Sequence, residues 1–291
     1  MGISMNSTCL TCRVKRIINT LRPFSTEAQT TEFLKTWMRQ AAEYPQEIDS
    51  TRCGYYTDRL VQSVYGIRPA DLLKQERADS NRFVLERLEQ IRSRVAGSPD
   101  PVYAALQYAV LGNYLDFAAL QGKVSFQELE DMLDQVKDIR LDKGVVGEFA
   151  SDLEKGKKLL ILTDNAGEIG FDRVLAEVLK EKYPHLEIVF CVRGEPVAND
   201  ATWEDAAAVG ITFPVIDSGN AVGGTAVELL SDEARSAMET ADVILAKGMG
   251  NTESLFGCGY NVYYAFLVKC QRFVEFFNAP MMQAMFVRDK M

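Results

Sequence analysis

Two aspartates and an asparagine are the candidate metal ligands of this chain: Asp164, Asn165 and Asp200. Carboxylate and amide oxygens are the hard donors that Mg²⁺ and, less strongly, Mn²⁺ prefer. These ions keep several waters and bind through one or two carboxylates together with a substrate phosphate. The residue types therefore point to a divalent metal that holds a phosphate group, although an Asp-Asn pair alone is more often a turn or a helix cap.

Phosphate-binding groups occur near the same positions. Lys247 lies next to Gly248 and can act as a point charge on a phosphate oxygen. Glu168 begins a predicted helix, and the free N–H groups of residues 166–168, with the helix dipole, favour an anion. Phosphoryl chemistry by positioning and electrostatics needs no histidine, and the chain has only His185.

Alternating strands and helices are predicted to carry these residues in the second half of the chain. Apolar runs predict strands at residues 158–163, 187–192, 213–216, 242–246 and 262–268, with helical stretches at 168–183, from 201, and 225–238. The alternation predicts a mostly parallel, doubly wound α/β sheet. Ligands bind at the carboxyl ends of such strands, so the three candidate loops should meet at one edge. Taken alone, Asp200 would be an N-cap for the helix that starts at Ala201.

The first half of the chain is predicted to be helical. Apolar periodicity and caps favour helices at residues 25–44, 57–65, 80–95 and 100–120, and a further one opened by Ser125. We place the boundary near residue 150, between a helical domain (1–150) and an α/β domain (151–291).

Composition excludes several classes of function. The 291 residues carry 32 Lys and Arg against 41 Asp and Glu, a formal charge of −9. This balance argues against a nucleic-acid or anionic-membrane binder. No apolar stretch approaches the roughly 18 to 20 residues that span a bilayer, and the N-terminus lacks the apolar core of a signal peptide. We expect a cytoplasmic protein, monomeric or dimeric.

The cysteines leave two interpretations open. Cys9 and Cys12 have the spacing of a metal knuckle, and Cys53 is a candidate third thiolate. The second Cys-x-x-Cys pair of a zinc signature is missing, so buried free thiols are the other interpretation.

Competing nucleotide and phosphatase motifs are absent or incomplete. The glycines after the first strand do not form a dinucleotide-binding fingerprint, and the sequence contains no phosphate-binding P-loop. The second aspartate of a haloacid-dehalogenase phosphatase is replaced by Ala166.

Several sequence blocks together resemble the damage-control phosphatase family, also known as domain of unknown function 89 (DUF89). They occur in the family's order along nearly the whole chain: Cys9 to Cys12, Asn81, residues 112–117, 164–172, 196–202, 223–225 and 247–253. The Cys-x-x-Cys start resembles the mainly prokaryotic subgroup. The resemblance implies a helical N-terminal region and a Rossmann-like α/β domain. It also implies a phosphatase that depends on a divalent metal (Mg, Mn, Co or Ni) and acts on small phosphorylated metabolites.

The resemblance also implies roles for individual residues. Asp164, Asn165 and Asp200 would bind the metal, and Lys247 would hold the phosphate. Asn113 and Asp116 would reach the site from the helical half. The remaining residues expected to contact phosphate or substrate are Gly167, Asn251 and Glu253. The nucleophile is either a water on the metal or the carboxylate of Asp164, and Glu168 or Asp116 is expected to handle protons.

Two other classes of function remain as alternatives. The same acidic edge is compatible with a sensor that binds a phosphometabolite without turnover. A methyltransferase dependent on S-adenosylmethionine ranks last, because its Gly-x-Gly after the first strand is missing.

Overall fold

The computed structural model describes residues 2–116, 119–120 and 124–289. Its centre is a six-stranded sheet with the strand order β3-β2-β1-β4-β5-β6. The strands are β1 Lys158–Leu162, β2 Glu187–Val192, β3 Val215–Asp217, β4 Val243–Lys247, β5 Val262–Leu267 and β6 Ala284–Arg288. All neighbouring strands are parallel except β5 and β6. The predicted α/β class is confirmed.

Thirteen α-helices accompany the sheet in the described part of the chain. The first eight are α1 Ser7–Leu21, α2 Glu27–Ala41, α3 Ser50–Tyr65, α4 Lys74–Leu85, α5 Leu88–Ala96, α6 Pro101–Gly112, α7 Phe126–Asp134 and α8 Lys143–Lys155. The others are α9 Glu168–Lys182, α10 Trp203–Ala208, α11 Asp232–Thr240, α12 Gly248–Leu255 and α13 Gln271–Phe277. Short 3₁₀ turns lie at Pro69–Leu73, Val136–Asp138 and Val227–Leu229.

The central strand shows why the sequence forms a sheet buried on both faces. Leu159 and Ile161 belong to one hydrophobic cluster, whereas Leu160 and Leu162 belong to the cluster on the opposite face. Successive side chains of a strand point to opposite faces, so a continuous apolar run fills both cores. Parallel strands with helices on both faces give the doubly wound arrangement.

Helix ends in the first half follow local capping rules. The Asp100 side chain accepts from the Tyr103 N–H, and Pro101 occupies the first turn of α6, where its missing N–H costs nothing. Ser125 caps α7 by accepting from the Glu128 N–H. α6 ends at Gly112, earlier than the predicted residue 120. Phe117, the last residue of the 112–117 block, lies outside the described residues.

Several other predicted boundaries need correction. The expected helix at 80–95 is two helices, because the chain breaks between α4 and α5 around residues 86–87. The helix after β2 is capped by Thr202, not by Asp200. The expected helix at 225–238 is a 3₁₀ turn followed by α11. β6 was not predicted; it is an antiparallel edge strand in which only Phe286 is buried.

The hydrophobic cores cross the predicted domain boundary. One cluster joins Val84, Leu111 and Phe149, from the helical half, with Phe171 and Phe190 from the α/β half. Helices α1 to α3 have a smaller cluster of their own around Phe33 and Trp37. The division at residue 150 stays a prediction.

Two further observations concern the single histidine and the question of a membrane-spanning helix. His185 lies two residues before β2, at the sheet edge opposite to the carboxyl ends of the strands. Among the described residues, no helix is long and apolar enough to cross a membrane.

Candidate metal and phosphate site

The candidate site lies where the strand order reverses. β1 continues to β2 on one side and is flanked by β4 on the other, so the loops after β1 and β4 leave the sheet in different directions. Such a switch point opens a crevice at the carboxyl edge of a parallel sheet. Asn165 pairs with Asp200 in an isolated antiparallel bridge, and the Ala201 N–H donates to the Asp164 carbonyl at 2.7 Å. The structure thus brings together the three residues expected to bind a metal.

Asp164 is buried at the centre of this crevice. Its Oδ2 accepts hydrogen bonds from Asn113 Nδ2 and Asn165 Nδ2, both at 2.9 Å. Gly248 permits this approach, because a Cβ there would lie 1.9 Å from Asp164 Oδ2. Burial, followed by repulsion from Asp200 and Glu168, raises the pKa of Asp164 well above its ordinary value. Buried acids that repel one another are typical of functional sites.

Asp200 is held by an arginine that the sequence analysis did not assign to the site. Arg193 Nε donates to Asp200 Oδ2 at 2.7 Å, and Arg193 Nη2 lies 3.8 Å from Asp164 Oδ1. Arg193 is itself fixed by Nη1 donating to the Gly224 carbonyl and by Nη2 donating to Asn251 Oδ1. Burial raises the pKa of Asp200 to about 6, against the lowering effect of Arg193. The signal was available: Arg193 is the first residue after β2.

Lys247 is not placed to bind phosphate, and its predicted role needs correction. Its side chain has 0% exposure. Lys247 Nζ lies 2.6 Å from the Ala109 carbonyl, 2.7 Å from Glu168 Oε1 and 2.9 Å from Asp172 Oδ1. Burial opposes the charge, but attraction to Asp172 and Glu168 outweighs it and raises the pKa of Lys247. An ammonium group has three donors, and its three nearest partners here are protein oxygens.

Glu168 connects this lysine to the metal-ligand candidates. Its Oε2 accepts from Asn165 Nδ2 at 2.6 Å and from Asn113 Nδ2 at 3.0 Å. The side chain is fully buried, and Glu168 orients the amides of Asn165 and Asn113. The expectation that Glu168 handles protons stays a prediction. Asn165 Oδ1 accepts from Asn199 Nδ2 at 2.9 Å and keeps a second lone pair for a ligand.

Asn113 and Asp116 reach the site from the helical half. Besides donating to Asp164 and Glu168, Asn113 accepts from the Leu267 N–H through Oδ1 at 3.1 Å. Lys269 Nζ donates to the Asn113 carbonyl and to Asp116 Oδ2, both at 2.7 Å. Burial opposes ionisation of Asp116, but Lys269 outweighs it and lowers the pKa of Asp116. Lys269 was also missed, although it follows β5 by two residues.

Other groups lie around three residues that were expected to contact phosphate or substrate: Gly167, Asn251 and Glu253. The Gly167 N–H donates to Asn81 Oδ1 at 2.7 Å, and the Ala166 N–H donates to the Asn199 carbonyl. These amides are therefore not free to bind an anion. Asn251 is fully buried; its Nδ2 donates to the Lys247 and Thr163 carbonyls.

Glu253 faces a different group of residues. Burial raises the pKa of Glu253 to about 8, with a smaller contribution from Asp49, while Arg13, Arg16 and Arg272 act against it. Glu253 therefore belongs to the side of α12 that looks towards α1 and α3.

The structure does not bring the three N-terminal cysteines together. Among the described residues, no group of three or more His, Cys, Asp or Glu side chains is placed to hold a metal ion. Cys9, Cys12 and Cys53 are free thiols, and Cys53 is buried. Of the two interpretations left open by the sequence, the structure favours free thiols, because Cys53 packs in the core of α1 to α3 with Trp37.

Mg²⁺ and Mn²⁺ also accept amide oxygens as ligands. Asp164 and Asp200 are two carboxylates and Asn165 supplies an amide oxygen. This donor set suits Mg²⁺ or Mn²⁺, which bind through one or two carboxylates and complete their shell with water and phosphate. The mutual repulsion of the two buried acids is what a cation between them would relieve.

Comparison with known proteins then decides the family. Residues 5–285 match the family model described as the damage-control phosphatase ARMT1-like domain. The chain belongs to this family. The resemblance inferred from the sequence blocks is confirmed.

Individual relatives agree with this assignment. An uncharacterised protein of Methanocaldococcus jannaschii is 30% identical over 289 residues, which is 94% of this chain and 92% of that protein. A damage-control phosphatase of Archaeoglobus fulgidus is 34% identical over 203 residues, 68% of this chain and 67% of that protein. The crystal structure of a DUF89 family protein from Pyrococcus horikoshii has the same fold, with a TM-score of 0.84, 23% identity, and coverage of 99% of this chain and 100% of that chain.

Proposed function

We propose that this chain is a phosphatase that depends on a divalent metal ion and hydrolyses phosphate monoesters of small metabolites. The observation that carries the proposal is the buried pair Asp164 and Asp200, with the Asn165 amide beside them, at the switch point of the sheet. Membership of the damage-control phosphatase family supports the same reaction class. The metal would be Mg, Mn, Co or Ni.

Each of the side chains around the crevice would have a distinct task. Asp164, Asn165 and Asp200 would hold the metal, which neutralises charge on the phosphoryl group when bound. Arg193 fixes Asp200 and keeps a guanidinium 3.8 Å from Asp164, where it stabilises negative charge that develops during transfer. Glu168, held by Lys247, keeps the Asn165 and Asn113 amides in place.

The nucleophile is either water or the Asp164 carboxylate, and acid quenching of a single turnover in labelled water distinguishes them. In a single turnover in H₂¹⁸O with excess enzyme, attack by water places ¹⁸O in the released phosphate. Attack by Asp164 followed by hydrolysis at phosphorus also labels the phosphate, but it leaves a phosphoryl-enzyme that acid quenching traps. A trapped phosphoryl group on Asp164 assigns the carboxylate, and its absence with labelled phosphate assigns water.

Phosphate release from a substrate panel tests the proposal itself. After EDTA treatment, the protein is assayed with p-nitrophenyl phosphate and with sugar and nucleotide monophosphates, with each of the four metals and without metal. We expect turnover with metal only, and a loss of at least 100-fold for Asp164→Asn. Asp131→Asn, an exposed aspartate on α7, is the matched control and should leave turnover unchanged.

Two results would reject parts of this assignment. Metal-independent turnover, or full activity of Asp164→Asn, would reject the metal site. Metal and phosphate binding without any phosphate release would favour the non-catalytic sensor. The subgroup defined by the Cys-x-x-Cys start, the cytoplasmic location and the oligomeric state stay predictions.

A further inference from the structure

Three arginines outside the metal and phosphate site act electrostatically on Glu253. Arg13 and Arg16 lie on α1, and Arg272 is the second residue of α13. In a chain with a formal charge of −9, a group of three guanidiniums is a local exception.

Arg13 is anchored on α3 but is not fully bonded. Its Nη2 donates to the Ser50 carbonyl at 2.6 Å, and the guanidinium lies so close to Gly54 that a Cβ there would be 2.9 Å from Nη2. The Arg13 side chain is buried, and its Nε has no hydrogen-bond partner among the described residues. Arg272 Nε is likewise buried without a partner in the described chain.

Arg16 lies one turn further along α1. It is half-buried, and within residues 2–116, 119–120 and 124–289 it makes no hydrogen bond or ion pair. Burial and the neighbouring Arg13 lower the pKa of Arg16, while Asp116 and Asp58 act in the opposite direction. A guanidinium that has lost part of its water without gaining a partner is destabilised until an anion binds.

The nearby carboxyl groups do not neutralise this charge. Asp116 is paired with Lys269 at 2.7 Å. With its pKa raised to about 8 by burial, Glu253 is mostly uncharged at pH 7. Burial raises the pKa of Asp58 to about 6, so Asp58 is mostly ionised at pH 7. Asp49 is paired with Arg52. Among the described residues, Asp58 is therefore the one ionised carboxylate near the three arginines that is not already paired with another cation.

Asp116 links this arginine group to the metal-ligand candidates. Lys269 Nζ donates to Asp116 Oδ2 and to the Asn113 carbonyl, both at 2.7 Å, and Asn113 Nδ2 donates to Asp164 Oδ2 at 2.9 Å. Asp116 also acts electrostatically on Arg16. A ligand that extends from the Asp164 side past Asp116 would therefore arrive at Arg16.

We propose that Arg16, reinforced by Arg13 and Arg272, is a second anion-binding site that takes an oxyanion at the far end of the substrate. The substrate would be a phosphomonoester whose leaving portion also carries a carboxylate or a second phosphate. This inference rests on the proposed phosphatase function. The planar guanidinium of Arg16 matches the fork geometry of either oxyanion.

Two matched substrate pairs test the site and identify the anion. 3-Phosphoglycerate is compared with glycerol 3-phosphate, which has a hydroxymethyl group instead of the carboxylate. Fructose 1,6-bisphosphate is compared with fructose 6-phosphate. In at least one pair we expect the substrate with the extra anionic group to have the higher kcat/KM. The ratio of the two kcat/KM values within that pair should fall about 10- to 100-fold in Arg16→Gln. The pair that responds identifies carboxylate or phosphate.

The controls separate charge from position. Lys15→Gln removes the same charge from an exposed neighbour on α1 and should leave both ratios unchanged. Arg16→Lys keeps the charge without the fork and should reduce the ratio by a smaller factor, so it carries the test if Arg16→Gln does not fold. Equal effects of Arg16→Gln on both members of each pair, or no effect, would overturn the inference.

Failure of the proposed function gives a different result. If the wild type releases phosphate from no substrate with any metal, the phosphatase proposal fails. Calorimetric binding of 3-phosphoglycerate, glycerol 3-phosphate and the two fructose phosphates then decides the inference. The second anion site is supported if Arg16→Gln binds the substrate with the extra anion at least tenfold more weakly than the wild type does, while binding of its partner substrate is unchanged. Equal binding by the two proteins refutes it.

Discussion

Replacing Lys247 by methionine tests whether this lysine supports the site or binds phosphate. Methionine has a similar length and no charge. In the structure, Lys247 is fully buried between Glu168 and Asp172 and donates to the Ala109 carbonyl. The substitution therefore leaves two buried carboxylates without their shared counter-ion.

The expected loss of stability follows from this burial. Removing one partner of a buried ion pair costs about 3–5 kcal/mol, because the other charge stays buried and unpaired. For a domain of 150–250 residues, 1 kcal/mol corresponds to about 2–4 °C in Tm, so we expect a decrease of roughly 6–20 °C. The loss should be smaller at pH 5.5 than at pH 8, because burial raises the pKa of Asp172 to about 7 and this carboxyl can then take up a proton.

Thermal unfolding followed by circular dichroism measures this effect. Lys35→Met is the matched control, because the Lys35 side chain is 58% exposed and such changes stay within about 0.5 kcal/mol. Adding Asp172→Asn to Lys247→Met removes one of the orphaned charges and should recover part of the Tm. Asp172→Asn alone should be milder, since burial already raises the pKa of Asp172 to about 7.

A different pattern would refute this reasoning. If Lys247→Met kept the wild-type Tm at pH 8 but raised KM for every phosphate ester, the lysine would be a phosphate ligand. The structural role would then be wrong, and the interpretation from the sequence would be correct.

Three further substitutions give distinct expected outcomes. Asp164→Asn should raise the free energy of unfolding without metal by about 1–2 kcal/mol, because it relieves repulsion from Asp200, and it should abolish stabilisation by Mn²⁺ in thermal scans. Arg193→Lys should lower stability by about 2 kcal/mol and kcat more than tenfold, since lysine cannot bond Asp200, Gly224 and Asn251 together. Glu253→Gln should become more stable than the wild type as pH rises, measured by urea unfolding from pH 4 to 9.

The sign of the Glu253 effect follows from its raised pKa. The ordinary value is 4.5 and burial raises the pKa to about 8, so the wild type is fully stabilised below pH 4.5 and loses stability as pH rises through 8. At 1.36 kcal/mol per pH unit, the difference between wild type and Glu253→Gln reaches about 5 kcal/mol at most. A difference in unfolding free energy between the two proteins that does not change with pH would contradict the raised pKa of Glu253.

The other two predictions have equally definite contrary results. A metal-free Asp164→Asn protein less stable than the wild type would show that the acids do not repel one another. An Arg193→Lys enzyme with normal kcat would show that charge alone is needed at that position.

The metal-ligand candidates were predictable because they follow strands. Asp164 and Asn165 follow a four-residue apolar run after only Thr163, and parallel topology brings the carboxyl ends of neighbouring strands to one edge. The same rule applies to Arg193 and Lys269. They were missed because a single basic residue after a strand is common and carries no distinctive spacing.

The roles of buried polar residues were not predictable. Lys247 beside two glycines has the pattern of a phosphate contact, and only packing shows that Glu168 and Asp172 reach its ammonium group first. The same holds for the Gly167 amide, which Asn81 occupies from a helix 86 residues earlier in the chain.

Local sequence therefore determined the α/β class, most strand positions and the residues at the carboxyl edge, because periodicity and capping act within a few residues. Tertiary structure alone decided which polar atoms keep a free lone pair or donor. That outcome depends on partners far away in the chain, such as Ala109 for Lys247 and Ser50 for Arg13. A buried side chain binds the partner that packing brings within reach, and the types of its sequence neighbours do not determine that partner.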